Sequence, residues 1–128
     1  MDRRTTGAIA ASLASLPFLL PHVVEDFDRG IARRVGLSTG LGAALLGAGL
    51  AVQILGLVLA GRGMRAGLAI TALAGIVWTA GAVADHGPEL ARRGSAFRGS
   101  ALSALWVGGL MVGQGTAAGL SLLALWRR

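Results

Sequence analysis

The stretch from Val35 to Gly61, VGLSTGLGAALLGAGLAVQILGLVLAG, holds no charged residue, and its one strongly polar side chain is Gln53. A helix rises about 1.5 Å per residue, so about 20 apolar residues cross a hydrocarbon core roughly 30 Å thick. This stretch exceeds that length, and the surplus implies tilt or helix ends standing among the headgroups. Working outward, charge is also missing from Thr5–Val24, Ala66–Ala84 and Gly99–Trp126. One charge at mid-bilayer costs on the order of 3 kcal/mol on insertion scales, so four successive clean windows carry a strong signal. The fold expected is all-α, a polytopic membrane protein built as a four-transmembrane-helix bundle with spans near 6–27, 36–61, 66–86 and 99–126. A soluble fold would need alternating polar faces, which the chain lacks. The spans use nearly all of it, so 1–128 reads as one integral membrane domain.

All twelve basic residues are arginine, and Lys, Asn, Cys and Tyr are absent. Arg, Gly and Ala have GC-rich codons, which points to a bacterial genome of high GC content and to the inner (cytoplasmic) membrane. The net charge of +6 sits on short loops. It therefore reads as topology and headgroup contact, with the lipid bilayer as partner and no nucleic acid. Absence of cysteine excludes disulfides, thiol redox chemistry and thiolate metal sites. Met1-Asp2-Arg3-Arg4 before an apolar run has the look of a signal peptide. Pro17 and Pro21 interrupt that run and no small-x-small site follows, so it is read as a retained span.

Arginines divide evenly between the two sides, six and six, so the positive-inside rule does not decide orientation. The side with both termini and the shortest loop carries one acid against five, which favours cytoplasmic termini. Small residues recur at helical spacing in span two (Gly36, Gly40, Ala43, Gly47) and span four (Ala101, Ala104, Gly108, Gly115, Gly119, with the pair Gly109 and Gly113). Such stripes let backbones approach closely in lipid, within one chain, between copies in a homo-oligomer, or against a partner membrane subunit. Gln53 and Gln114 lie deep in their spans, where interhelical hydrogen bonds would fix packing register.

Both histidines and five of the six acids fall on one membrane side. His22, Glu25 and Asp26 share a helix face by their i, i+3, i+4 spacing. Asp85 and His86 lie just before Gly87-Pro88, where span three is expected to falter because the residue before proline disfavours helix. His22-x-x-Glu25 then Ala-Arg-Arg, and His86-x-x-Glu89 then Ala-Arg-Arg, form an internal echo that suggests a duplicated hairpin. The candidate ligand or metal-binding residues are His22, Glu25, Asp26, Asp85, His86 and Glu89. Solvated ends paired with nearby arginines are one reading of them, a divalent metal such as zinc or iron a second, and a proton or cation relay a third. A haem ligated by His22 and His86 is a further option. Phe18, Trp78 and Trp106 each lie roughly 10 to 12 Å below this interface by residue count. With Gln53 and Gln114 they are expected to line a pocket beneath the polar cluster.

The function expected is binding of a small ligand or cation in the outer half of the bundle, by a transporter or transport accessory. The alternatives are a membrane enzyme or redox protein using the His-carboxylate cluster on a lipid-soluble substrate, and a structural subunit of a larger complex. Reporter fusions after Arg4, Arg29, Arg62, Arg93 and Arg128 should alternate between the two compartments, the first and last on the same side. Two consecutive fusions in the same compartment would contradict the four-span count.

Overall fold

A computed structural model describes residues 1–126; Arg127 and Arg128, counted above with the terminal side, lie outside the described residues. Four helices are long and apolar enough to cross a membrane, and among the described residues there is no strand. The chain is a four-helix bundle of the multi-pass membrane type.

Helix α1 spans Arg3–Asp28. Asp2 caps it, its Oδ1 accepting from the Arg4 and Thr5 amides at 2.9 and 3.0 Å. The helix runs on through Pro17 and Pro21 and stops where Gly30 takes φ +76°. A single-turn helix α2, Ile31–Arg34, follows. It closes with a Schellman pair, Leu37 N–H to Ala32 C=O and Gly36 N–H to Arg33 C=O, with Gly36 at φ +77°. The second span therefore begins at Thr39, as α3 (Thr39–Gly61) capped by Ser38, and not at residue 36.

Helix α4 spans Arg65–Arg93 and carries Pro88 inside it. The break expected near residue 86 is absent. A proline removes one backbone donor, and the residues beyond Pro88 still reach the carbonyls of the preceding turn, so one missing bond near the end does not stop the helix. A short 3₁₀ strap, Gly94–Gly99, leads into α5, Ala101–Trp126.

Helices α1 and α5 pack antiparallel along matching seams. On α1 the buried residues are Thr5, Ala8, Ser12, Ser15, Leu19 and His22. On α5 they include Ser103, Val107, Leu110, Gln114, Ala117, Ser121 and Ala124. Spacings that alternate three and four are those of a left-handed, coiled-coil-like contact. Close approach depends on Gly109 and Gly113, where an added Cβ would stand 2.5 Å from the Phe18 ring and 2.6 Å from Ser15 Cβ. The longer stripes behave differently. Gly36 lies outside the helix, Gly40, Gly47, Gly108 and Gly119 have no described atom within 4 Å of such a Cβ, and Ala43 is exposed. That is the opposite of tight packing inside the chain.

Helices α3 and α4 touch closely near their connecting turn, where Gly56 meets Ile70 and Gly67 meets the Ala60 backbone. Towards the other end α3 leans away from α4. A polar ladder ties the four helices at mid-depth. Trp78 Nε1 donates to Gln53 Oε1 (2.8 Å), Gln53 Nε2 to Ser12 Oγ (2.8 Å), and Gln114 Nε2 to Ser15 Oγ (2.7 Å).

The contrast between glycines gives a direct check. Gly113→Val should destabilise the bundle by about 1–3 kcal/mol through overpacking against Ser15. Gly119→Val, on the same helix but in open space, should leave the melting temperature in detergent micelles nearly unchanged. Equal effects would show that α5 packs through a different face.

Candidate functional site

The last turns of α1 and the last third of α4 point in the same direction and meet at one end of the bundle. His22, the final residue of the α1 seam, is 4% exposed, and His86 on α4 is 3% exposed. Their rings pack edge to face, with centroids 4.8 Å apart and planes at 88°. Asp26, one turn beyond His22, lies between them. Its Oδ2 is 3.3 Å from His22 Nε2 and 3.2 Å from His86 Nε2. Asp85 Oδ2 is also 3.2 Å from His86 Nε2, and Arg34 of α2 reaches Asp85 at 3.6 Å.

The strap supplies the cation. Phe97 is fully buried against His86, with ring centroids 5.7 Å apart, and Arg98 lies over the Phe97 ring at 5.0 Å. Arg98 is the one non-glycine described residue with positive φ, at 53°. A left-handed conformation costs an arginine on the order of 1–2 kcal/mol, and its contacts hold it there. Its Nη2 donates to Asp26 Oδ1 at 2.6 Å and its Nη1 to Glu25 Oε2 at 3.3 Å. Glu25 Oε1 accepts from Ser103 Oγ of α5 at 2.7 Å and pairs with Arg29 at 3.4 Å.

One contact fixes the chemistry of His86. Arg98 Nη2 is 3.2 Å from His86 Nδ1. A guanidinium only donates, so Nδ1 must hold a lone pair and the proton of the neutral ring must sit on Nε2, facing the two aspartates. His22 differs, because its buried Nδ1 has no hydrogen-bond partner among the described residues.

These facts bear on the metal reading. His22, Asp26 and His86 bring one ligand atom each to within 4.8 Å of one another. The shorter separations match the roughly 3.3 Å expected between neighbours around a tetrahedral ion with 2.0–2.1 Å bonds. The outer shell does not fit. A ligating imidazole gives its lone pair to the ion and donates its other N–H to an acceptor. Here His86 Nδ1 faces a donor, and His22 Nδ1 has no acceptor among the described residues. Haem fits no better, because edge-to-face imidazoles converging on one carboxylate oxygen leave no gap for a macrocycle between them.

A cleft of about 550 Å³ adjoins the cluster where α3 leans away from α4. His22, Asp26, Asp85 and His86 form its polar end, and Phe27, Leu46, Val77, Trp78 and Leu110 are among its apolar walls. Val77 is 60% exposed, so the cleft opens on the lipid-facing surface. Of the aromatic and amide candidates only Trp78 lines it. Phe18 is spent on Gly109 and packs with Leu19 and Leu110, and Gln53 and Gln114 are buried in the ladder. Trp106 is half-buried and off the cleft wall. Among the acids, Glu89 stays on its own helix and pairs with Arg93 at 3.7 Å, away from the cluster. Glu25 joins through Arg98 and Ser103. Three residues were not foreseen: Phe97, Arg98 and Ser103. Sequence marked Arg98 only as a loop arginine, and nothing in its spacing to Asp26 announces the contact.

Compared with known protein families, curated proteins and solved structures, the chain matches none.

The tautomer is open to measurement. Ring nitrogen NMR of the neutral protein should show His86 protonated on Nε2 with Nδ1 bare, and Arg98→Met should change that pattern. A wild-type His86 protonated on Nδ1 would restore the metal reading.

Proposed function

We propose that this protein binds a lipid-soluble amphiphile with a cationic head group, as a transporter or an accessory to transport. The observation that carries this is the polar end of the cleft. Glu25 and Asp26, with side chains 16% and 13% exposed, face one buried counter-charge, Arg98 at 5%. Arg29, more exposed, pairs with Glu25 from outside, but both charged residues that line the cleft itself, Asp26 and Asp85, are acids, and no described arginine lines it. Asp85 and Arg34 balance each other at the more exposed rim. An acidic lining with its arginines set off the wall supports a positive head group at this end of the cleft.

The apolar walls fit the rest of such a molecule. The cleft volume lies within the range of ligand pockets, about 300–1,000 Å³. Its lateral opening admits a molecule already dissolved in the bilayer. Lipid tails are as apolar as leucine, so moving a chain from bilayer to cleft yields little. Selectivity must come from the head group. With the termini placed in the cytoplasm, the cleft opens towards the outer leaflet of a bacterial inner membrane.

A second reading has one observation in its favour. Asp26 Oδ2 lies 3.3 Å from His22 Nε2, as a carboxylate that orients an imidazole base does, and His22 lines the cleft. On that reading the protein would remove a proton from a lipid-soluble substrate.

A fluorescence experiment tests the main reading. Trp106→Phe with Trp126→Phe leaves Trp78 as the reporter on the cleft wall. In nanodiscs of zwitterionic lipid, a bromododecyl chain should quench Trp78 when it binds. The trimethylammonium form should bind at least about tenfold more tightly than the alcohol, a difference of 1.4 kcal/mol, and the sulfate more weakly still. Asp26→Asn should remove the preference. Equal quenching by all three heads would overturn the cation reading.

A further inference from the structure

We propose that the head group received by the cleft is a primary ammonium, which donates hydrogen bonds to the Asp85 carboxylate and to the backbone carbonyl of Ala84. This rests on the cation reading above and narrows its chemical class.

The side chains of the cleft wall have no donor left to offer. Trp78 has an N–H, but it is spent on Gln53. His22 and His86 turn their Nε2 atoms to Asp26, and His86 Nδ1 faces Arg98. His22 Nδ1 is buried with no partner among the described residues, so a hydrogen there would have no acceptor. That ring therefore carries its hydrogen on Nε2. No described serine, threonine or arginine lines the cleft.

Acceptors are in surplus at the same end. Asp26 and Asp85 each bring one oxygen to 3.2 Å from His86 Nε2, and one ring hydrogen cannot satisfy both. Asp26 takes that hydrogen bond. Asp85 accepts none from a described residue, and its remaining neighbour is the half-exposed Arg34 at 3.6 Å. Beside it in the chain stands Ala84, which also lines the cleft. A helical carbonyl is bonded by the amide four residues on, and four residues after Ala84 comes Pro88, which has no N–H. The Ala84 carbonyl thus lacks its helical donor next to the Asp85 carboxylate. Within a membrane a carbonyl freed by proline is satisfied again by another group.

These surroundings separate the kinds of head group. A trimethylammonium has no hydrogen to give, so it leaves both acceptors unbonded. A primary ammonium has three, and its bonds to a carboxylate are of the short, charge-assisted kind. Anionic and carbonyl head groups bring only acceptors and find no donor on the wall. The apolar side chains take the rest of the molecule as before.

The test holds charge constant and varies only the donors. Bromododecyl chains ending in ammonium, methylammonium, dimethylammonium and trimethylammonium all carry one positive charge at neutral pH, because alkylamines titrate near about pH 10 as lysine does. Quenching of Trp78 in the full chain with Trp106→Phe and Trp126→Phe, in phosphatidylcholine nanodiscs, gives each affinity relative to ligand already in the bilayer. Affinity should fall with each N–H replaced, and the primary ammonium should exceed the quaternary by at least about tenfold. Asp85→Ala should cut that ratio to about threefold or less. Pro88→Ala, which returns an amide to the Ala84 carbonyl and removes no polar side chain, should lower the ratio while leaving trimethylammonium binding unchanged. Phosphatidylethanolamine added to the discs presents the same ammonium on a lipid. Its displacement of the bromododecylammonium would assign the ligand to a lipid head group, and failure to displace would assign it to single-chain amines. Equal affinities across the series, all tighter than the alcohol, would overturn the donor reading and leave the cation reading standing. A ratio that survives in both Asp85→Ala and Pro88→Ala would overturn the placement at Asp85 and Ala84. If no member of the series binds more tightly than the alcohol, both proposals fall together.

Discussion

Hydrocarbon offers no partner to a polar group, and that constraint sets the register of the whole bundle. Gln53 and Gln114 carry primary amides into the middle of the membrane, where each unpaired group would cost several kcal/mol. Both find their partners on α1, at Ser12 and Ser15. Serine is short, so the helices must come close before the bonds can form. Once Gln114 is on Ser15, the antiparallel α5 can slide no further, and Ser103 arrives beside Glu25. As the α1 partner advances ten residues from Ser15 to Glu25, the α5 partner retreats eleven from Gln114 to Ser103. The two contacts are the same register read at two depths, one structural and one at the site.

The cleft follows from how α3 is held. Gly56 and Gly67 let α3 and α4 touch near their connecting turn, and the Gln53–Trp78 bond fastens them at mid-depth. Beyond that bond and the Leu50 contact next to it, α3 presents Gly40 and Gly47 to open space. Its far end is instead held through Gly42, which meets Ala32 and Phe27 of the α1–α2 connection. Helices pinned at one end and separated at the other must leave a wedge between them. Trp78 props that wedge open, with its indole nitrogen satisfied from behind and its ring facing the cleft.

Charge-free windows made the spans legible in sequence, because a charge in hydrocarbon is costly enough to leave an unmistakable gap. The grouping of His22, Asp26, Asp85 and His86 at one end was legible for a related reason: span direction alone brings the ends of α1 and α4 to the same side. Side-chain partners were not legible. Glycine stripes show where helices can approach, yet whether Gly109 or Gly108 meets α1 depends on a rotation of about 100° that composition does not encode. Pro88 was read as a stop because its local preference is strong, but the loss of one bond near a helix end is small beside the burial of His86. Arg98 was the hardest to foresee. It reaches Asp26 only because the strap places it in a left-handed backbone conformation that arginine seldom adopts.

The echo between the two His-x-x-Glu segments also takes on a different meaning in three dimensions. The position after Glu25 is Asp26, whereas the position after Glu89 is Leu90 and the aspartate of that half, Asp85, precedes its histidine. Glu25 turns inward to Arg98 and Ser103, while Glu89 stays on its own helix with Arg93. The halves therefore complement each other instead of repeating. One carboxylate serves two histidines, and one arginine faces the ring nitrogen of the second half's histidine alone.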